Sequence, residues 1–95
     1  MSGEATVEHE RTKSRFVIRW KDHEAFLSYH QEGTALDLQH TFVPDTFRGR
    51  GLAERLCQAA FEYAKANHLT VIPSCSYVSG AYLKRHPEYA PLVRG

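Results

Sequence analysis

The sequence has no apolar stretch near the roughly 20 residues that a bilayer-spanning helix needs. Its start, Met1-Ser2-Gly3-Glu4, has no apolar signal-peptide core. A membrane partner is therefore not expected, and the cytoplasm is the expected location. Cysteine is scarce: Cys57 and Cys75 stand 18 positions apart, which is neither a C-x-x-C pair nor a disulfide framework. The histidines show no H-x-x-x-H or Cys/His ligand spacing, so no metal is expected. Charge of one sign is lacking too. The net charge is +1, which gives no overall basic field for a nucleic-acid backbone. Repeats, low-complexity stretches and interior linkers are absent. At 95 residues and 42% hydrophobic, the chain reads as one folded domain over 1–95, with only residues 1–5 loose.

What is present is unevenly placed. Residues 1–46 carry a net charge of −3 and residues 47–86 carry +4, so positive charge gathers in the second half. Phe16, Ile18 and Trp20 alternate with Val17 and Arg19, and Ala25, Leu27 and Tyr29 alternate with Phe26, Ser28 and His30. Both segments have the two-residue period of a strand. Leu36, Leu38, His40 and Phe42 then share one face while Asp37, Gln39 and Thr41 share the other; Glu32-Gly33-Thr34 turns into this strand and Pro44 closes it. After Pro44 the period becomes helical: Leu52, Leu56, Ala59, Ala60 and Tyr63 make one stripe of a helix from about Gly49 to Asn67. Leu69-Thr70-Val71-Ile72 is a buried strand ended by Pro73, and a second helix covers about Ser76 to Arg85, capped by Ser74 or Ser76 and stopped by Pro87. The predicted order is β-β-β-α-β-α, an α/β fold with flanking helices on a mixed sheet. The strand, helix, strand passage makes its two strands parallel neighbours.

Between strand and helix lies Phe47-Arg48-Gly49-Arg50-Gly51-Leu52-Ala53. Here the first N–H groups of the helix have no internal partner. Glycines let the backbone come close to a ligand, the positive helix end favours phosphate oxygens, and arginines add charge-assisted contacts. A pyrophosphate fits this outline; so does a glycine-bearing turn with solvated arginines. The loop lacks the lysine and hydroxyl of a P-loop and the third glycine of a dinucleotide fold.

These residues resemble a known family. Arg48-Gly49-Arg50-Gly51-Leu52-Ala53 is similar to the R-x-x-G-x-A form of the acetyl-coenzyme A signature of the GNAT N-acetyltransferases. His40-Thr41-Phe42-Val43-Pro44 and Val71-Ile72-Pro73-Ser74-Cys75-Ser76-Tyr77-Val78 narrow the resemblance to very small, stand-alone members, over about residues 16–92. The resemblance implies two central parallel strands, about 35–43 and 69–73, that splay apart to admit the pantetheine arm of acetyl-coenzyme A. It further implies that the backbone of Phe42 and Val43 bonds that arm, while Arg48, Gly49, Arg50, Gly51, Leu52 and Ala53 hold the pyrophosphate. Lys84 and Arg85 are either further phosphate contacts or a solvated helix end.

Cys75 stands at a predicted helix start, where the helix terminus lowers a thiol pKa below its usual ~8.5. His40, on the neighbouring strand, can meet it across the splay, and a Cys/His pair is a nucleophile with its base. In the small subfamily the resemblance implies that acetyl passes from coenzyme A to Cys75, with His40 taking the thiol proton, and then to an amine. Packing is the alternative for both residues. Direct transfer to the amine is the alternative route, with Tyr77 or Tyr82 reprotonating the leaving thiolate. Cys57, mid-helix beside Leu56, Ala60 and Phe61, reads as packing.

Relative to the family's usual plan, helices between the first strands and strands after the last helix are missing. Both omissions fall on the acceptor side, so the cleft suits a protein or peptide amine or is completed by a partner or a second copy; a monomer and a small homo-oligomer are both compatible. Two functions follow: an acetyl-coenzyme A-dependent transferase acting on an amine, or a coenzyme A-binding or interaction module without turnover.

Overall fold

Alternating side chains build a five-stranded sheet in the computed structural model, which describes residues 6–20 and 22–94. Residues 1–5, expected to be loose, lie outside that range. The strands are β1 (Val7–Glu10), β2 (Arg15–Trp20), β3 (His23–Glu32), β4 (Ala35–Phe42) and β5 (Thr70–Ile72), side by side in chain order. The first three pairings are antiparallel, and β4 with β5 is parallel, as the intervening helix requires. β1 is additional to the three early strands expected. Its sequence, Val-Glu-His-Glu, is short and highly charged, so its alternation is faint. The parallel pair lies at one side of the sheet, because beyond β5 the described chain adds only a bridge between Val71 and Val93.

Helix α1 (Leu52–Ala66) packs on one sheet face. It starts three residues later than its periodicity suggests. Gly49 and Gly51 have φ of 84° and 72°, left-handed values that cannot continue into a right-handed helix. Its buried residues Leu52, Leu56, Cys57, Ala60, Phe61 and Ala64 join Phe16, Ile18, Leu27, Leu36 and Leu38 in one core. Each large aliphatic side chain buried there stabilises the fold by about 1.5–3 kcal/mol. Cys57 is fully buried in that core.

A second helix occupies 76–85, π-helical at Val78–Tyr82 and α-helical at Leu83–Arg85. It lies against α1: Tyr82 stacks on Phe61 with ring centroids 5.5 Å apart, and Arg85 pairs with Glu54. Its cap is Cys75 rather than Ser74 or Ser76. The Ser79 N–H donates to the Cys75 carbonyl at 3.1 Å, whereas Ser74 Oγ donates to Asp37 Oδ1 at 2.6 Å and is held on the sheet. Among the described residues no helix is long and apolar enough to cross a membrane.

One irregularity in β4 decides where its side chains face. Tyr29 pairs with Leu38 but Ser28 pairs with His40, so Gln39 is an extra residue, a β-bulge. Such a slip exchanges the two faces of everything beyond it. Leu36 and Leu38 point to the core as expected, but Thr41, opposite the buried Leu27, takes the inner side. His40 and Phe42 go to the outer face beside Phe26, with ring centroids 6.0 and 5.6 Å from it. That outer face also carries Arg19, which bridges Glu8 and Glu24 at 2.8 Å each and pairs with Glu10.

Candidate active site

β4 and β5 pair only from Ala35–Thr70 to Asp37–Ile72. One further bond, Cys75 N to Leu38 O at 2.8 Å, closes the junction. From Gln39 onward β4 has no strand partner on that side among the described residues. The bulge bends β4 at the same point, so the two strands part as expected, and beyond the Thr41 N–H, which bonds the Cys75 sulfur, the β4 edge runs on toward Val43 without a strand partner among the described residues.

Two adjoining cavities, of about 230 and 320 Å³, share Val43, Arg48, Ala53 and Tyr77 as walls. The first adds Phe47, Gly49, Gly51, Leu52, Glu54 and Arg85, and the second adds Thr41. Together they form one cleft from the glycine loop to the parting of the strands. At its loop end α1 offers unpaired N–H groups: Arg55 N is the first to reach back, to Gly51 O at 3.1 Å, so the N–H groups of Leu52, Ala53 and Glu54 have no intrahelical acceptor. Such donors, with two arginines on the walls, fit a phosphate-bearing ligand.

The cleft's other end is walled by Thr41, behind which stands Cys75, itself part of neither cavity wall. Its Sγ lies 3.3 Å from Thr41 Oγ1, and the residue is only 9% exposed. Burial works to raise the Cys75 pKa. Hydrogen bonds to sulfur from the Thr41 hydroxyl and from the backbone at Val78, Tyr77 and Thr41 outweigh it and hold the thiol below its ordinary range. This is the helix start acting through particular N–H groups. Cys57 behaves oppositely: burial, then the nearby charges of Cys75 and Glu54, push it up to about 12. Tyr77 lines the cleft, and burial raises its hydroxyl pKa. Tyr82 does not reach the cleft; it is 1% exposed between Phe61 and His86.

The residues singled out in the sequence thus divide. Val43, Arg48, Gly49, Gly51, Leu52 and Ala53 wall the cleft. Arg50 does not, because its guanidinium sits over the Trp20 ring, 5.1 Å from the centroid. Phe42 has its side chain on the far face, 44% exposed, and His40 is exposed on that face too, so the expected Cys75–His40 pair is not formed. The bulge is the reason: it puts Thr41 where strict alternation put His40. Thr41 and Glu54 were not singled out, and no periodic signal marks an inserted residue.

The sheet, its single parallel pair and the loop-to-helix cleft define an acetyltransferase-type α/β fold, and comparison with known proteins agrees. The sequence profile of the GCN5-related N-acetyl-transferase family matches residues 15–92, and the chain belongs to that family. It is 39% identical over 89 residues to Protein NATD1 of Xenopus tropicalis, covering 90% of this chain and 81% of that protein. Protein NATD1 of Homo sapiens is 39% identical over 84 residues, covering 85% and 74%. Among solved structures, a GCN5-like protein from Staphylococcus aureus superposes with a TM-score of 0.75 at 26% identity, covering 100% of this chain and 92% of that one.

Proposed function

We propose that this chain transfers an acetyl group from acetyl-coenzyme A to an amine, by way of Cys75. The observation that carries the reading is the cleft's continuity from the unpaired N–H groups of Leu52–Glu54 to Thr41, whose hydroxyl meets the Cys75 sulfur. Arg48 and the loop of Gly49 and Gly51 would hold the donor's phosphates, and the edge of β4 beyond Thr41, at Phe42 and Val43, would bond its pantetheine arm. Acetyl-coenzyme A supplies the acetyl group as a thioester. The Cys75 thiolate, stabilised by Thr41 and the backbone at Tyr77 and Val78, forms a bond to the carbonyl carbon. The carbon–sulfur bond to coenzyme A breaks, and that sulfur takes up a proton from solvent. An amine then attacks the acetyl-cysteine, Cys75 leaves as thiolate, and the amine proton passes to solvent. His40 takes no part.

A binding function without turnover has one observation in its favour: no histidine or carboxylate is hydrogen-bonded to the Cys75 sulfur among the described residues. The two readings part in one experiment. Acetyl-coenzyme A at about 100 times its dissociation constant should stabilise the fold by roughly 2.7 kcal/mol in either case. Intact-mass spectra should then contain one acetyl adduct, lost in Cys75→Ala and discharged by added amine. A thermal shift with neither adduct nor transfer establishes the binding module, and no shift at all refutes both.

A further inference from the structure

We infer that Arg85, which lies outside the glycine-loop motif, is the second cation that grips the phosphates of the coenzyme A donor, in the role that the sequence suggests for Arg50. The inference rests on the proposed cofactor reading. Arg85 comes from the second helix and walls the loop end of the cleft together with Arg48, Gly49 and Gly51. Arg50 is turned out of that cleft onto Trp20.

Glu54 makes Arg85 necessary. Its carboxylate stands in the first turn of α1 and on the cleft wall, beside the N–H groups that would receive a phosphate. Alone, it would repel an anion there. Arg85 Nη1 pairs with Glu54 Oε2, while His86 Nε2 stands 3.7 Å from the same oxygen. The guanidinium has five N–H donors in a planar fork. With Nη1 committed to Glu54, Nε and Nη2 have no protein acceptor among the described residues, and the side chain is 64% exposed. One group therefore cancels the carboxylate and still has donors for phosphate oxygens. The pyrophosphate and the ribose 3′-phosphate present the same chemistry to it.

Calorimetry with acetyl-coenzyme A and 3′-dephospho-coenzyme A tests this. Arg85→Ala should weaken acetyl-coenzyme A binding by about tenfold or more, the scale of a lost charge-assisted hydrogen bond, while Arg50→Ala changes it by less than about threefold. A loss confined to acetyl-coenzyme A assigns the contact to the 3′-phosphate, and one shared by both ligands assigns it to the pyrophosphate; either supports the inference. The double variant Glu54→Gln/Arg85→Ala separates contact from mere cancellation. It should remain weak, and full recovery of affinity would overturn the inference, as would an unchanged Arg85→Ala. Failure of the unsubstituted chain to bind acetyl-coenzyme A would instead bring down the cofactor reading, and this inference with it.

Discussion

Thr41 Oγ1 and Cys75 Sγ are 3.3 Å apart across the line where β4 and β5 part. One residue is on the strand and the other caps the helix beyond the junction. The contact ties the end of the cleft to the thiol whose ionisation it favours.

Thr41→Val should therefore raise the Cys75 pKa and slow its modification. In the unsubstituted protein, iodoacetamide alkylation should have a midpoint below that of an ordinary thiol. In Thr41→Val that midpoint should move upward, and Cys57 should react in neither until the protein unfolds. The sign for stability follows. A thiol with a depressed folded pKa stabilises the fold above its unfolded pKa, and that contribution disappears as pH falls through the folded value. An unmoved midpoint would show that the hydroxyl does not act on the sulfur.

His40→Ala should leave the same alkylation profile unchanged. His40 is on the outer face against Phe26, and the bulge at Gln39 separates it from the thiol side. A shifted midpoint would mean that the imidazole reaches Cys75 after all.

Gly51→Asp should cost little stability but nearly all coenzyme A affinity. A Cβ at Gly51 meets nothing within 4 Å, so the penalty comes from its φ of 72°, about 1–2 kcal/mol for an ordinary residue and less for Asp or Asn. The added carboxylate, however, would stand at the cleft wall where the proposed phosphates bind. Gly51→Asn has a similar backbone cost without the charge and should retain more affinity. Calorimetry checks both, and equal affinity in the Asp variant would remove the loop as a phosphate site.

Acid should weaken the fold through the outer sheet face. Hydrogen bonds from Arg19, then Arg15, hold the Glu10 carboxyl down at about 2, and Glu24 is lowered chiefly by Arg19. Carboxyls with depressed folded pKa values stabilise the protein above their unfolded range, and the benefit is lost as pH falls toward about 2. Thermal midpoints measured from pH 7 downward should fall less steeply over that window in Arg19→Met than in the unsubstituted protein. Parallel curves would show that the ion pairs of Arg19 and Arg15 with Glu10 and Glu24 do not stabilise the fold.

The strands from Phe16 to Phe42, α1 and the parallel β4–β5 pair were legible because their apolar residues recur at unambiguous periods. The glycine loop was legible because two glycines and two arginines fall between a strand and a helix. β1 was not, since Val7 and His9 alone carry its inner face. The bulge was not either, because Leu36, Leu38, His40 and Phe42 fit strict alternation so well that an inserted Gln39 leaves no mark. That single residue is why the structure has Thr41 beside Cys75 where strict alternation places His40. Arg85 and Glu54 meet only in three dimensions, 31 positions apart in sequence.

Because α1 and the second helix both lie on the thiol side, the sheet has an underside whose side chains wall no part of the cleft. His40 and Phe42 stand there, directly behind the residues that line the cleft. A reporter attached at position 40 would sit one strand thickness from the Thr41–Cys75 contact without entering the cleft. The small fold thus offers a vantage point from which the opening of β4 and β5 can be watched while the cleft stays free.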